Sequence, residues 1–519
     1  MNTALGGDAG VRPARSRSAL NGLPIQRLVT DSRAVQPGDT FLAFPGEARD
    51  GRHYIGQAIA RGAASVLWER RGFAWDPAWS VPNAGVPALR RRAGEIASEV
   101  YGRPSAKLWM IGVTGTNGKT SCSHWIAQSL TRTGRKCPVI GTLGNGFPGR
   151  LEPTSNTTPD AVTLHGALRD FLHRGARAVA MEVSSHGLVQ HRLSGVEFDV
   201  ALLTNLTRDH LDYHGTMRAY RAAKARLFGW PTLKWAVLNL DDAFGAELAA
   251  RMSNDGAQVI GYGLDSVSTI RVGRNVARVQ GRNLRVGAEG LSLDVLTPWG
   301  KASLSSALIG RFNAANLLAT LAVLLASDTG LDQAVQALAR LRALPGRTER
   351  HGGGRAPIVI IDYAHTPDAL EKVLCALRET MNAGRAATKA RKALRSQRPK
   401  LFCVFGCGGE RDRGKRPLMG AVASRLADLT FITSDNPRSE NPLSIIDDIA
   451  RGTRGEVIVE SDRARAIRLA IHMARPRDIV LIAGKGHERY QEACGVKRPY
   501  SDTEEVTAAL RTRSAPRCR

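Results

Sequence analysis

A chain of 519 residues is too long for one ordinary hydrophobic core and calls for two to four domains. Its net charge of +26 comes mostly from arginines spread along the chain, which suits anionic small molecules; the acid-free run 385–400 has no interleaved aromatic residues to stack on bases, so nucleic acid is not an expected partner. No signal-peptide pattern opens the chain, the longest apolar helix candidate (316–326) is far short of the roughly 20 residues of a membrane span, and the seven scattered cysteines include no CxxC pair, so we expect a soluble, cytoplasmic, monomeric chain in a reducing compartment, without disulfides or zinc.

Residues 1–20 are rich in Gly, Arg and Ser and read as a disordered tail. From 21 to 107 the strands are short and turns frequent, as in "QPGDTFLAFPGEARDGR", which predicts a small α/β domain ending near 104–107. From 108 onward one unit recurs: a short apolar run, a polar or glycine-rich loop, then a helical pattern. The runs are 108–113 before "TGTNGKT", 178–183 before "SSHGL", 200–203 before "TNLTRDHLDYHG" and 358–361 before "DYAHTPDAL". Three more follow, at 401–405 before "GCGGERDRGKRP", 429–433 before "SDNPRSE" and 479–483 before "GKGHE". Runs this short and apolar predict strands buried on both faces, hence mostly parallel sheets in an α/β fold. A second boundary near 344–346 would separate a central domain, 108–344, from a C-terminal one, 345–519. In such sheets ligands gather at the carboxyl ends of strands, where every one of these polar clusters falls.

"GVTGTNGKTS", 112–121, follows one predicted strand and opens one helix. Backbone N–H groups of Gly115, Thr116, Asn117 and Gly118 would face phosphate, and the helix N-terminus adds its dipole. Lys119 would reach the β- and γ-phosphates and the Thr120 hydroxyl would hold Mg²⁺. Val113 stands where the common phosphate-loop pattern has glycine. An acid, Glu182, and a histidine, His210, at the ends of neighbouring strands are what a two-metal clamp needs beside such a loop. Lys224, in "YRAAKARLF", reads on its own as a helix-surface lysine. The turn "SDNPRSE" fixes Asp435 and Arg438 three residues apart; a surface turn could do this by accident, whereas a site gripping a zwitterion would require it.

Taken together, "TGTNGKT", "TSNTTP", "MEVSSHGL", "TNLTRDHLDYHG", "DYAHTPDAL", "FGCGGERDRGKRPLMG", "DNPR" and "GKGHE", in this order from about 28 to about 502, resemble the Mur ligases, ATP-dependent amide-forming enzymes of peptidoglycan synthesis. "TGTNGKT" alone would also fit folylpolyglutamate synthases, but these give no reason for "DNPR" or "TSNTTP". A basic nucleic-acid-stimulated ATPase is the reading from another class. The resemblance implies three domains: one for the UDP end of the substrate, a central P-loop ATPase and a Rossmann-like C-terminal domain. It implies that ATP phosphorylates a D-glutamyl carboxylate of UDP-N-acetylmuramoyl-L-alanyl-D-glutamate, and that the amine of meso-diaminopimelate attacks the acyl phosphate.

By the same resemblance Lys119, Glu182, His210 and Lys224 are the catalytic set. One Mg²⁺ would sit on Thr120 and Glu182, and a second on His210 and a carbamate of Lys224. ATP would also meet Ser121, Asn313 (adenine), Arg347 (phosphate) and Asp362 (ribose). Ser32, Asn156, Thr157, Thr158, Ser184, Gln190 and Arg192 would hold the UDP-muramoyl dipeptide. Arg411, Asp435, Asn436, Pro437, Arg438, Gly484 and Glu488 would hold diaminopimelate. Lysine, which lacks the second carboxylate, would leave Arg438 desolvated and unpaired, so diaminopimelate is expected over lysine.

Overall fold

The structure is a computed structural model that describes residues 22–47, 49–154, 156–252, 256–264, 276–287, 289–387 and 398–514. The expected tail 1–20 and most of the basic segment 385–400 lie outside the described residues. Among those described, no helix is long and apolar enough to cross a membrane.

Three α/β domains follow one another. The first carries four parallel strands in chain order, Leu28–Val29, Thr40–Ala43, Ser65–Glu69 and Asn83–Val86. Helix Leu89–Val100 packs Leu89, Ala93, Ile96 and Ala97 on one face of this sheet, against Leu42, Leu67 and Val86.

The central domain is built on eleven strands. Its middle is parallel: Trp109–Thr114 lies between Ala178–Glu182 and Val200–Leu203, with Val113 opposite Glu182 and Thr114 opposite Leu203. The chain leaves the strand Trp109–Thr114 toward one side and later crosses to the other, a topological switch of the kind that opens a crevice at the carboxyl ends. These three strands are apolar up to their carboxyl ends, where Thr114 and Glu182 stand, because helices cover both faces: Lys119–Arg132 and Arg311–Ala326 on one side, Ala161–His173 on the other. At both edges the sheet turns antiparallel, through Val139–Gly141, Gly144–Phe147 and Arg150–Glu152 at one end and Val276–Gly287, Gly290–Thr297 and Gly300–Ser306 at the other.

The third domain has six strands. Glu349–Gly352 is an antiparallel edge; then come Ile358–Asp362, Ile479–Ala483, Leu401–Phe405, Leu429–Ile432 and Val457–Val459, all parallel. A separate hairpin, Tyr490–Ala493 with Val496–Pro499, stands beside it. Each apolar run expected to form a buried strand does so, to within a residue at either end.

Candidate active site

The phosphate loop leaves the sheet at Thr114, and the helix begins at Lys119. Gly115 sits at φ 145°, and a Cβ there would lie 1.9 Å from Thr204 Oγ1, so no other residue fits. The loop is stitched to the next crossover: Asn117 N donates to Asn205 Oδ1 at 3.0 Å, Thr204 Oγ1 donates to Asn117 O at 2.6 Å, and Thr207 N donates to Thr116 Oγ1 at 3.0 Å. Lys119 Nζ turns onto its own loop, donating to Gly115 O and Thr116 O at 2.8 Å each. Lys224, buried on helix Met217–Ala225, donates its Nζ to the same Gly115 oxygen at 2.8 Å. Burial pulls both amines below their ordinary pKa, Lys224 well below it, with the charge of Lys119 adding to the effect.

Glu182 is fully buried and triply held. Its Oε2 accepts from Thr120 Oγ1 at 3.0 Å and Thr142 Oγ1 at 3.1 Å, and its Oε1 accepts from Thr142 N at 2.8 Å. His210 adopts φ 54° ahead of the short helix Leu211–His214. Burial pushes its pKa down to about 3, and His186, Lys119 and Lys224 lower it further against the pull of Asp209, so the ring is neutral. Its Nε2 lies 3.3 Å from Asp209 Oδ2, which also faces His365 Nε2 at 3.7 Å. Burial is the largest single influence on Asp209 and works against its charge, but the hydrogen bond from His365 together with the charges of His210, His365 and Lys415 outweighs it and holds the carboxyl well below the usual range. His186, Tyr213 and Tyr220 pack their rings around His210 and His214.

The donor set fits the cations expected from sequence. A carboxylate and a threonine hydroxyl at the head of a phosphate-binding helix suit Mg²⁺, a hard ion that takes further oxygens from phosphate and water. No group of three or more His, Cys, Asp or Glu side chains that could hold a metal occurs among the described residues. Lys224 fits carbamylation: its amine is buried, depressed in basicity and in no ion pair among the described residues.

The third domain closes over the loop. Arg347 Nη2 donates to Thr120 Oγ1 at 3.1 Å, and its guanidinium lies 4.4 Å above the Tyr363 ring. Asn117 Nδ2 donates to Asp368 Oδ2 at 3.2 Å, and Arg208 pairs with Asp412 at 2.8 and 3.0 Å. Gly346, at φ 65°, brings the chain so close to the last motif that a Cβ would lie 2.2 Å from His487 N and 2.4 Å from the Gly486 carbonyl carbon. Asp362 Oδ2 accepts from Thr348 N at 2.7 Å, and burial raises its pKa. Asn313 is buried, with its amide donating to Ile309 O at 2.9 Å; nearer the loop is Asn316, whose Oδ1 lies 2.7 Å from where a Gly118 Cβ would be. Ser121 is buried in the first turn of the loop's helix.

Between the first two domains lies a cleft of about 250 Å³. Glu47, Arg90, Asp160, Gln190 and Arg192 line it. Gln190 Nε2 donates to Glu47 Oε2 at 2.7 Å, and Arg192 Nη1 to Thr158 O at 2.8 Å. Thr158 Oγ1 is tied to Glu182 O at 2.9 Å, Ser184 caps the helix Ser185–Val189, and the Thr157 hydroxyl meets that of Thr142 at 3.0 Å. Asn156 O accepts from Thr154 Oγ1 at 2.9 Å. Ser32 is not among the lining residues; it is buried, donating to Gln57 Oε1 at 2.7 Å.

At the far side, Asp435, Asn436, Pro437 and Arg438 follow the strand Leu429–Ile432. Asp435 and Arg438 turn to different partners. Asp435 Oδ2 lies 4.0 Å from Arg463 Nη1 and faces Gly484, where a Cβ would come within 2.7 Å of it. Arg438, at φ 53°, bridges to the hairpin through its backbone and donates Nη1 to Gly409 O at 2.6 Å. Gly408 lies between Arg438 and Arg411: its Cβ position is 3.0 Å from Arg438 Nη1 and 3.8 Å from Arg411 Cγ. Asn436 Nδ2 donates to Glu488 Oε2 at 2.8 Å, and Tyr363 OH reaches Glu488 Oε1 at 3.4 Å. Tyr363 therefore touches both Arg347 on the phosphate side and Glu488 here. Sequence reasoning passed over Thr142, Asp209, Tyr363, His365, Asn316 and Lys485. Asp209, Tyr363, His365 and Lys485 lie within the motifs given above and Asn316 heads the apolar stretch 316–326, whereas Thr142 lies in neither.

Comparison with known proteins gives one family along the chain. Residues 24–101 match the Mur ligase family catalytic domain, 113–324 the Mur ligase middle domain, and 346–486 the Mur ligase glutamate ligase domain. The UDP-N-acetylmuramoyl-L-alanyl-D-glutamate–2,6-diaminopimelate ligase of Nitrosomonas europaea is 53% identical, over 95% of this chain and 94% of its own. The enzyme of that name from Chromobacterium violaceum is 51% identical, over 94% and 95%. A solved structure of that name is 36% identical with a TM-score of 0.64, covering 95% of this chain and 96% of its own. A MurF structure from Acinetobacter baumannii shares the fold at 18% identity and a TM-score of 0.66, over 94% and 93%. With near-full-length relatives at half identity and each of its three domains matched in turn, the chain belongs to the Mur ligase family.

Proposed function

We propose that this ATP-dependent ligase joins meso-diaminopimelate to UDP-N-acetylmuramoyl-L-alanyl-D-glutamate through an acyl phosphate, releasing ADP and phosphate, in peptidoglycan synthesis. The observation that carries the reading is the continuity of the site: a phosphate loop and an amino-acid-binding cluster joined through Arg347, Tyr363 and Glu488.

The substrate's γ-carboxylate and the ATP phosphates are both anionic, so their approach needs positive charge between them. Lys119 supplies part of it; leaving the carbonyls of Gly115 and Thr116 for the phosphates exchanges two neutral acceptors for charged ones. Mg²⁺ ions, when bound, neutralise the phosphate oxygens and polarise the acyl group, and Thr120 with Glu182, and His210 with carbamylated Lys224, are the residues that would hold them. Arg347, stacked on Tyr363, stays aimed at the phosphate side. The cleft with Gln190 and Arg192 takes the anionic UDP-muramoyl peptide. Diaminopimelate enters from the third domain, its reacting amine toward the acyl phosphate. Its far carboxylate meets the guanidinium of Arg438, with Arg411 beside it, and its far ammonium meets Asp435 and Glu488. The closed domains exclude water from the acyl phosphate.

Phosphate release from ATP, measured with full-length protein and Mg²⁺, is expected only when both the UDP-muramoyl dipeptide and diaminopimelate are present, with lysine failing as a replacement. Turnover indifferent to either substrate would sink the reading. Arg438→Ala is expected to lower kcat/KM for diaminopimelate by roughly two orders of magnitude while leaving ATP binding in place. In labelled bicarbonate the wild-type chain is expected to give a carbamate carbon resonance that Lys224→Met lacks.

A further inference from the structure

Lys485 follows directly on the last strand of the third sheet's chain order, Ile479–Ala483 and Gly484, and is fully buried. A buried ammonium persists only with partners, so what it touches defines its purpose. Its Nζ donates to Asn436 Oδ1 at 2.9 Å and to Glu488 Oε2 at 3.0 Å, and lies 5.5 Å from the centre of the Tyr490 ring. Both oxygen partners belong to the cluster assigned to the amino acid.

The network around it has a fixed polarity. Asn436 Oδ1 accepts from Lys485 and from Glu492 N at 3.0 Å, and so its Nδ2 must point the other way, to Glu488 Oε2. That carboxylate oxygen is then engaged twice, while Oε1 has, among the described residues, only the long contact from Tyr363 at 3.4 Å. Remove the ammonium and two things follow: the Asn436 amide loses one of the two donors that forbid its flip, and Glu488 keeps a half-buried charge without its cation. We propose, building on the diaminopimelate reading above, that Lys485 is the positioning residue of the amino-acid subsite. It locks the Asn436 amide and turns Glu488 so that Oε1 is presented to the substrate's far ammonium.

Steady-state kinetics of the full-length chain, with ATP, the UDP-muramoyl dipeptide and meso-diaminopimelate each varied in turn, test this. Lys485→Met is expected to raise KM for diaminopimelate at least about tenfold, with a smaller change in kcat and a KM for ATP within about twofold of wild type. Lys485→Arg, which keeps the cation with a different reach, is expected to fall between the two. Adding Glu488→Gln to Lys485→Met should cost little more, because Lys485 acts through Glu488 and its loss has already taken Oε1 away from the ammonium. An unchanged KM for diaminopimelate, a parallel rise in KM for ATP, or full additivity of the two substitutions would overturn the proposal. If Lys485→Met does not fold, Lys485→Arg decides alone: a selective rise in KM for diaminopimelate supports the role, and wild-type values overturn it. A wild-type chain that ignores diaminopimelate defeats the functional reading itself, whereas normal wild-type use with an indifferent Lys485 defeats only this assignment.

Discussion

The carbonyl oxygen of Gly115 accepts from two lysines, each at 2.8 Å. Burial disfavours the charge on both amines and the charge of Lys119 adds to the effect on Lys224, so at this oxygen Lys224 is the amine that gives up its proton more readily. A neutral, buried Lys224 is the form able to combine with carbon dioxide, and the strain is relieved when Lys119 moves to phosphate. A second buried group makes stability depend on pH. His165 is fully buried, donating Nε2–H to Ser194 O at 2.9 Å, and burial pushes its pKa down to about 4 from 6.5 against that hydrogen bond. The unfolded chain binds the proton more tightly, so the contribution is complete above pH 6.5 and is lost as pH falls toward 4, about 3 kcal/mol in all. Urea denaturation across this window should show stability falling with pH, and His165→Gln should flatten the slope; an unaltered slope would clear His165 of the effect.

Among the elements, the parallel strands were legible because burial on both faces leaves an unbroken apolar run, as in Ile479–Ala483. The hairpins were not. Gly144–Phe147 alternates buried with half-buried positions, and Tyr490–Ala493 has no fully buried residue, so neither interrupts the pattern of a polar loop. The phosphate loop was legible because its parts are contiguous. Lys485 stands inside a legible motif yet nothing in the sequence marks it, since its partner Asn436 lies 49 residues away, and Thr142 meets Glu182 across 40. The pair Arg463–Asp502 was equally silent. Both side chains are fully buried, joined at 2.8 Å through Arg463 Nε and at 2.8 Å through Nη2, with Tyr500 OH on Asp502 at 3.1 Å and Arg463 Nη2 on Ala483 O at 3.0 Å. Two helix starts, at Arg463 and Asp502, are thereby fastened to the strand end that carries Gly484. Arg463→Met strands the Asp502 charge and is expected to cost about 3–5 kcal/mol in denaturant titration, while Arg463→Met with Asp502→Leu should recover much of it. A single variant as stable as wild type would show that the pair is not structural.

For the whole molecule, the second and third domains meet through polar contacts, among them Arg347 on Thr120, Asn117 on Asp368, Arg208 on Asp412 and His365 on Asp209, and through Ile309 and Phe312, which pack on the core of the third domain. The Arg208–Asp412 pair is half exposed on the arginine side and contributes under about 1 kcal/mol. The three-domain plan could be read from motif order, but which groups touch across the gap could not, because each contact joins segments far apart in sequence. Gly346 stands just past the domain boundary, and what crowds it belongs to its own domain, the backbone of Gly486 and His487. Gly346→Ala must either strain a left-handed backbone or push that stretch away, shifting the seat from which its neighbour Arg347 reaches Thr120. Such a protein should still bind the UDP-muramoyl dipeptide like wild type, yet turn over at least about tenfold more slowly, with a raised KM for ATP. Wild-type rates would mean that the seat has slack to spare; a slow enzyme would mean that one missing methyl group sets the aim of the arginine that bridges the two lobes.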